Sequence, residues 1–141
     1  MAEASGNVLI TAQTEAPFRA TLTHGPSGAV LRTEAPKDNG GTGASFSPTD
    51  LVAAALITCA MTTMDLYAKR NGISFGPARG RVEKCMENNP RRIAHLIIDI
   101  HMPEALPAQK RTELEGVARN CPVARALAGS VEETFRFHYE G

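Results

Sequence analysis

Ser47-Pro48-Thr49-Asp50-Leu51-Val52-Ala53-Ala54-Ala55-Leu56-Ile57-Thr58-Cys59-Ala60-Met61-Thr62-Thr63-Met64 is the stretch on which the fold turns. Ser47 is placed to cap a helix, and Pro48 suits the first helical position because its missing N–H would have no partner there. Asp50, three residues on, completes a variant of the capping box. The pattern continues to Arg70 or Asn71. Gly72 is the stop, and Lys69 and Arg70 sit at the negative end of the helix dipole. The first half is apolar all round, so it is expected to be buried on most sides.

Short extended segments precede this helix. Val8–Ala12 reads as a strand. Phe18–His24 alternates apolar and polar, the period of a half-buried strand. Gly25-Pro26-Ser27-Gly28 is a turn, and Ala29–Thr33 returns as a hairpin partner. Residues 36–47, with Gly40, Gly41 and Gly43, show no periodicity and read as a flexible loop of the kind that often carries function.

Two strands are expected beyond the helix, near Ala78–Met86 and at His95–Met102, joined by Asn88-Asn89-Pro90. In the second, Leu96, Ile98, Ile100 and Met102 share a face. Pro107 opens a helix carrying Leu114, Val117 and Ala118, which Asn120-Cys121-Pro122 interrupts. A short helix over Pro122–Gly129 and a last strand over Val131–Tyr139 complete the order β-β-β-α-β-β-α-α-β, an α+β pattern.

The chain has 141 residues, 43% apolar and 21% charged, with no Trp and a formal net charge of zero. One domain over residues 1–141 with a core of Ala, Leu, Ile, Val and Met is expected. Zero net charge argues against a nucleic-acid or membrane-surface binder, which needs a basic face. Met1–Asn7 has no basic region before an apolar run, and the longest apolar run, Leu51–Ile57, is too short to span a bilayer. Three cysteines, an odd count, argue against a secreted disulfide framework, so a cytoplasmic location is the expectation.

The cysteines carry the chemistry. Cys59 lies in the apolar helix, where a thiol is ordinarily a small buried hydrophobe. Thr58, Thr62 and Thr63 place hydroxyls beside it or one turn away, unusual in a dry helix. Cys121 falls at the N-cap before Pro122, where unpaired N–H groups and the positive dipole end favour a thiolate. An N-cap that happens to be Cys is the equal alternative. Cys85, in a strand and on the opposite face from Val82, has no surroundings that suggest a role. His24, His95, His101 and His138 lack any C-x-x-C or H-x-x-x-H spacing, which leaves a metal site weakly supported. Gly40-Gly41-Thr42-Gly43 lacks the Lys-Ser/Thr of a phosphate-binding loop.

Gly40-Gly41-Thr42-Gly43, then Ser47-Pro48 through Cys59, then Asn120-Cys121-Pro122-Val123, together resemble the OsmC/Ohr family of osmotically inducible and organic hydroperoxide resistance proteins. The resemblance covers nearly the whole chain, including the spacing of the two cysteines. It implies an OsmC-like α+β fold in an intertwined homodimer built around the long helix. It implies thiol-dependent reduction of organic hydroperoxides without a cofactor, with Cys59 as the peroxidatic nucleophile and Cys121 as the resolving thiol. The partners would be a hydroperoxide and an external dithiol reductant. An arginine of the N-terminal sheet would stabilise the thiolate; Arg32 is the better match and Arg19 the alternative. Where the family's hydroperoxide reductases carry Glu, this chain carries Asp50. That side chain is one methylene shorter, and the capping role alone is an equal reading. Leu56, Ile57, Met61 and Met64 would form an apolar wall suited to organic peroxides. A small-molecule binding protein and a zinc-binding structural protein are the rival readings.

Overall fold

The structure, a computed structural model, describes residues 6–103 and 105–140. Most of Met1–Asn7, read above as carrying no leader, lies outside these residues. Two compact units are present, one ending at Leu51 and one starting at Val52.

The first unit holds an antiparallel sheet in the order β1 (Ile10–Glu15), β2 (Arg19–His24), β3 (Val30–Glu34). Strand β1 lies two to three residues later than its apolar run suggests. Its ladder with β2 runs from Ile10↔His24 to Glu15↔Arg19 and leaves Val8 outside the strand. Pairing, not hydrophobicity, sets these bounds. The stretch that follows β3 is built rather than loose. It contains a single 3-10 turn at Lys37–Asn39. Its Thr42 donates both its backbone N–H and its hydroxyl to Glu34, each at 2.8 Å. Gly41 passes so close to Ala35 that a Cβ there would lie 1.5 Å from the Ala35 carbonyl oxygen, so only glycine fits.

Helix α1 (Pro48–Arg70) starts in the first unit and continues in the second. Ser47 and Asp50 cap it reciprocally: the Ser47 N–H donates to Asp50 at 2.9 Å, and the Asp50 N–H to the Ser47 hydroxyl at 3.1 Å. At the other end Gly72 takes a φ of 64°, and the Ile73 N–H reaches back to the Ala68 carbonyl at 2.8 Å. That is the bond of a Schellman stop.

In the second unit β4 (Arg79–Glu87), β5 (Arg92–Pro103) and β6 (Glu132–Glu140) form a sheet, with β4–β5 antiparallel and β5–β6 parallel. Helices α2 (Ala108–Arg119) and α3 (Pro122–Leu127) connect β5 to β6. A parallel return needs such a crossover, which is why two helices separate the last two strands. Leu96, Ile98 and Ile100 have no exposure, and their parallel partners Glu133, Phe135 and Phe137 lie on the same face. Leu56, Ala60 and Met64 of α1 and Leu114 and Ala118 of α2 join them in the core, all fully buried. Each fully buried Leu, Ile or Met contributes about 1.5–3 kcal/mol.

Helix α1 is long and apolar enough to cross a membrane by length and composition, which its shorter unbroken run Leu51–Ile57 does not convey. In this fold Ala53, Leu56, Ile57, Ala60, Met64 and Ala68 form one buried stripe. Ala55, Thr58, Thr62 and Leu66 are exposed in the chain. The helix therefore buries one face rather than most of its circumference.

Gly80 sets how closely α1 approaches β4. Its φ is not positive, so space rather than backbone freedom selects glycine. A Cβ there would meet Ile57 Cδ1 at 2.9 Å, Met61 Sδ at 3.0 Å and the Asp99 carbonyl at 3.1 Å.

Candidate functional site

The second unit brings Cys59 and Cys121 together. Cys59 stands on a flank of the buried stripe of α1, half-buried. Cys121 is the N-cap of α3 and has no solvent exposure. Cys59 lies close enough to Cys121 to bear on the ionisation of its thiol, and the Cys121 side chain makes no cap hydrogen bond to the first turn of α3. The chain folds this way locally because Pro122 starts α3 and cannot continue α2, which leaves Cys121 at the corner between them.

The N-cap position leaves two equal readings of Cys121, an activated thiolate and a cap that happens to be Cys, and its surroundings favour the second. Burial pushes the Cys121 thiol above its ordinary range, and the neighbouring Cys59 pushes it further. The Ala124 and Val123 N–H groups oppose this without reversing it. Desolvation outweighs the helix end here because Cys121 is fully enclosed. Cys121 is held as a neutral thiol beside a more accessible one, an asymmetric pair.

The hydroxyls near Cys59 divide. Thr58 and Thr62 bond back to the carbonyls of Ala54 and Thr58, at 2.7 and 2.8 Å. Thr63 instead lies with its hydroxyl 3.9 Å from the Cys59 sulfur. Cys85 is half-buried on β4, in register with His95.

Arg32 and Asp50 belong to the first unit. Arg32, on β3, has a side chain 70% exposed and pairs with Glu15 at 3.9 Å. Arg19, on β2, lies 4.0 Å from Glu34, whose side chain is 3% exposed. The Thr42 N–H, the Thr42 hydroxyl and then Arg19 hold the Glu34 carboxyl below the usual carboxylate range. Both arginines border a cavity of about 440 Å³ with Thr33 and Ser45. The role of Glu34 escapes a reading of the sequence, because its partner Thr42 lies in a segment without periodicity. Asp50 caps α1 as described.

The outer face of the second sheet carries a further polar cluster. Arg136 forms two bonds of 2.9 Å with the two oxygens of Asp99, and His138 lies 2.8 Å from the same carboxylate. His101 stacks on His138 with ring centroids 4.6 Å apart and contacts Glu140 at 2.9 Å. Among the described residues no group of three or more His, Cys, Asp or Glu side chains is arranged to hold a metal ion.

A fold with two three-stranded sheets, three helices and this thiol pair can be set beside known proteins. The profile of OsmC-like protein matches residues 41–135. The chain belongs to the OsmC-like protein family. Solved structures of similar shape agree with that membership. A putative osmotic stress induced and detoxification response protein from Psychrobacter arcticus is 28% identical; the match covers 97% of this chain and all of that one, with a TM-score of 0.87. An organic hydroperoxide resistance protein OsmC from Legionella pneumophila is 19% identical over 96% of this chain and 99% of its own, with a TM-score of 0.77. The organic hydroperoxide resistance protein OhrB of Bacillus subtilis is 20% identical over 93% and 97%, with a TM-score of 0.67. No curated protein sequence matches this OsmC-like chain. The fold expected from the family resemblance is the fold observed: α+β, with the element order given above.

Proposed function

We propose that this OsmC-like chain is a thiol-dependent peroxidase that reduces organic hydroperoxides in oxidative-stress defence. The observation that carries this reading is the juxtaposition of the half-buried Cys59 and the fully buried Cys121, close enough for one thiol to bear on the ionisation of the other. An accessible thiol beside an enclosed, neutral one suits a nucleophile and its resolving partner.

In this mechanism the Cys59 thiolate attacks an oxygen of the hydroperoxide. An S–O bond forms as the O–O bond breaks, and the departing alkoxide takes a proton and leaves as the alcohol. Cys59 is then a sulfenic acid, oxidised by two electrons. The Cys121 thiol attacks that sulfur, the S–S bond forms, and water leaves. An external dithiol restores both thiols by exchange and is itself oxidised to a disulfide. The motif match adds Arg32, with Arg19 as the alternative, as the cation that serves the thiolate, and Asp50 as a carboxylate partner. It also adds an intertwined homodimer. The reaction needs no cofactor, residues 1–141 act as one OsmC/Ohr-like domain, and the protein works in the cytoplasm.

Titration of the reduced protein with cumene hydroperoxide, followed by thiol counting and intact mass, tests the reading. Loss of two thiols per chain, a mass lower by two hydrogens and a Cys59–Cys121 linked peptide are expected. Unchanged thiols at stoichiometric peroxide would overturn it. A second reading, a small-molecule binding protein with little peroxidase activity, is favoured by Asp50, which stands where the family's reductases carry Glu and is engaged in capping.

A further inference from the structure

We propose that Thr63 is a further catalytic residue: its hydroxyl donates a hydrogen bond to the Cys59 sulfur and holds the thiolate ready for attack. The inference rests on the reading of Cys59 as the nucleophile. A helical threonine ordinarily turns its hydroxyl back to a carbonyl three or four residues earlier. Thr58 and Thr62 do this, at 2.7 and 2.8 Å. Thr63 does not follow them. Its Oγ1 lies 3.9 Å from Cys59 Sγ, within reach of a hydrogen bond to sulfur. Cys59 and Thr63 are four residues apart, so the helix itself brings the two side chains onto one flank. That flank also carries Leu56, which has no exposure, and Thr63 itself is half-buried.

The chemical effect has two parts of opposite sign. A hydroxyl that donates to a sulfur anion stabilises the anion relative to the neutral thiol. The same bond lowers the intrinsic nucleophilicity of that sulfur. With a Brønsted slope of about 0.4–0.5, the second part offsets about half of the first, on a logarithmic scale. The net gain is therefore confined to pH values at which the thiol is mostly protonated.

That sign change makes the test specific. Cys59 is left as the sole thiol by Cys85→Ser and Cys121→Ser, and its reaction with 4,4′-dithiodipyridine is followed from pH 5 to pH 10. Thr63→Val, which keeps the shape and removes the hydroxyl, is expected to react more slowly at the acid end and faster at the alkaline end, by similar factors. Thr63→Ser, which keeps the hydroxyl, should follow the parent. Coincident profiles for the parent and Thr63→Val would overturn the inference. So would a Thr63→Ser profile that follows Thr63→Val, since shape would then be the cause. Should Thr63→Val fail to fold, Thr63→Ala against Thr63→Ser gives the same comparison. No peroxide enters the assay, so crossed profiles in a protein that is inert to hydroperoxide would retire the peroxidase reading, and with it the catalytic role of Thr63, and leave only its contact with the Cys59 sulfur. A working peroxidase with coincident profiles would do the reverse.

Discussion

Cys121 has no solvent exposure, yet it neighbours Cys59, which is half-buried, closely enough for Cys59 to bear on its ionisation. One thiol of the pair is thus open to a reagent in solution, and the other is reached through it. This asymmetry orders the roles that the family resemblance assigns to the two residues.

Replacement of either cysteine should then have unequal consequences. Cys59→Ser is expected to abolish peroxide turnover. Cys121→Ser should allow a single oxidation and then stall, with intact mass showing one added oxygen on Cys59. Equal steady-state rates in the parent and Cys59→Ser would sink the mechanism.

Gly80→Ala should lower stability by about 1–3 kcal/mol, the usual cost of overpacking. Its Cβ would stand 2.9 Å from Ile57 and 3.0 Å from Met61. Met61 is half-buried and can swing aside, whereas Ile57 is enclosed. Urea midpoints for Gly80→Ala with and without Ile57→Val measure this: the second change should recover part of the loss, and additive losses would place the strain elsewhere.

Asp99 predicts a loss of stability in acid. The Arg136 guanidinium, then His138, holds its carboxyl far below the ordinary carboxylate range. A depressed folded value means that its contribution is present above the unfolded value, near pH 4, and is lost as the pH falls toward the folded one. The urea midpoint of the wild type should therefore drop between pH 5 and pH 3 by more than that of Asp99→Asn. Parallel curves would show that the Asp99–Arg136 pair adds nothing in this window.

Glu133 predicts the opposite. Burial raises its carboxyl above the ordinary range, and its Oε2 has no hydrogen-bond partner. A raised folded value for an acid means that ionisation costs stability, so the protein weakens as the pH rises through the unfolded value toward the folded one. Glu133→Gln is expected to raise the melting temperature at pH 7 and to change it little at pH 4. A lower melting temperature at pH 7 would show that the ionised carboxylate is stabilised by its surroundings.

Much of the architecture is local and therefore legible in the chain. Ser47, Pro48 and Asp50 start α1, and Gly72 ends it, because caps are made by residues within a few positions of one another. The alternation of Leu96, Ile98, Ile100 and Met102 identifies the covered face of β5, because side chains on a strand alternate strictly. The two cysteines and the motifs around them suffice to suggest the family, which residues 41–135 then establish.

What the sequence could not decide depends on groups far apart along it. Strand β1 begins at Ile10 rather than Val8 because its bounds come from the β2 ladder. The segment after β3 is pinned because Glu34 accepts two bonds from Thr42. Above all, the chain alone leaves Cys121 between an activated thiolate at a helix end and a cap that happens to be Cys, and the fold encloses the thiol. A helix end is a local electrostatic feature, whereas desolvation is set by whatever packs around the sulfur, and that is decided only when α1, α2 and α3 are assembled.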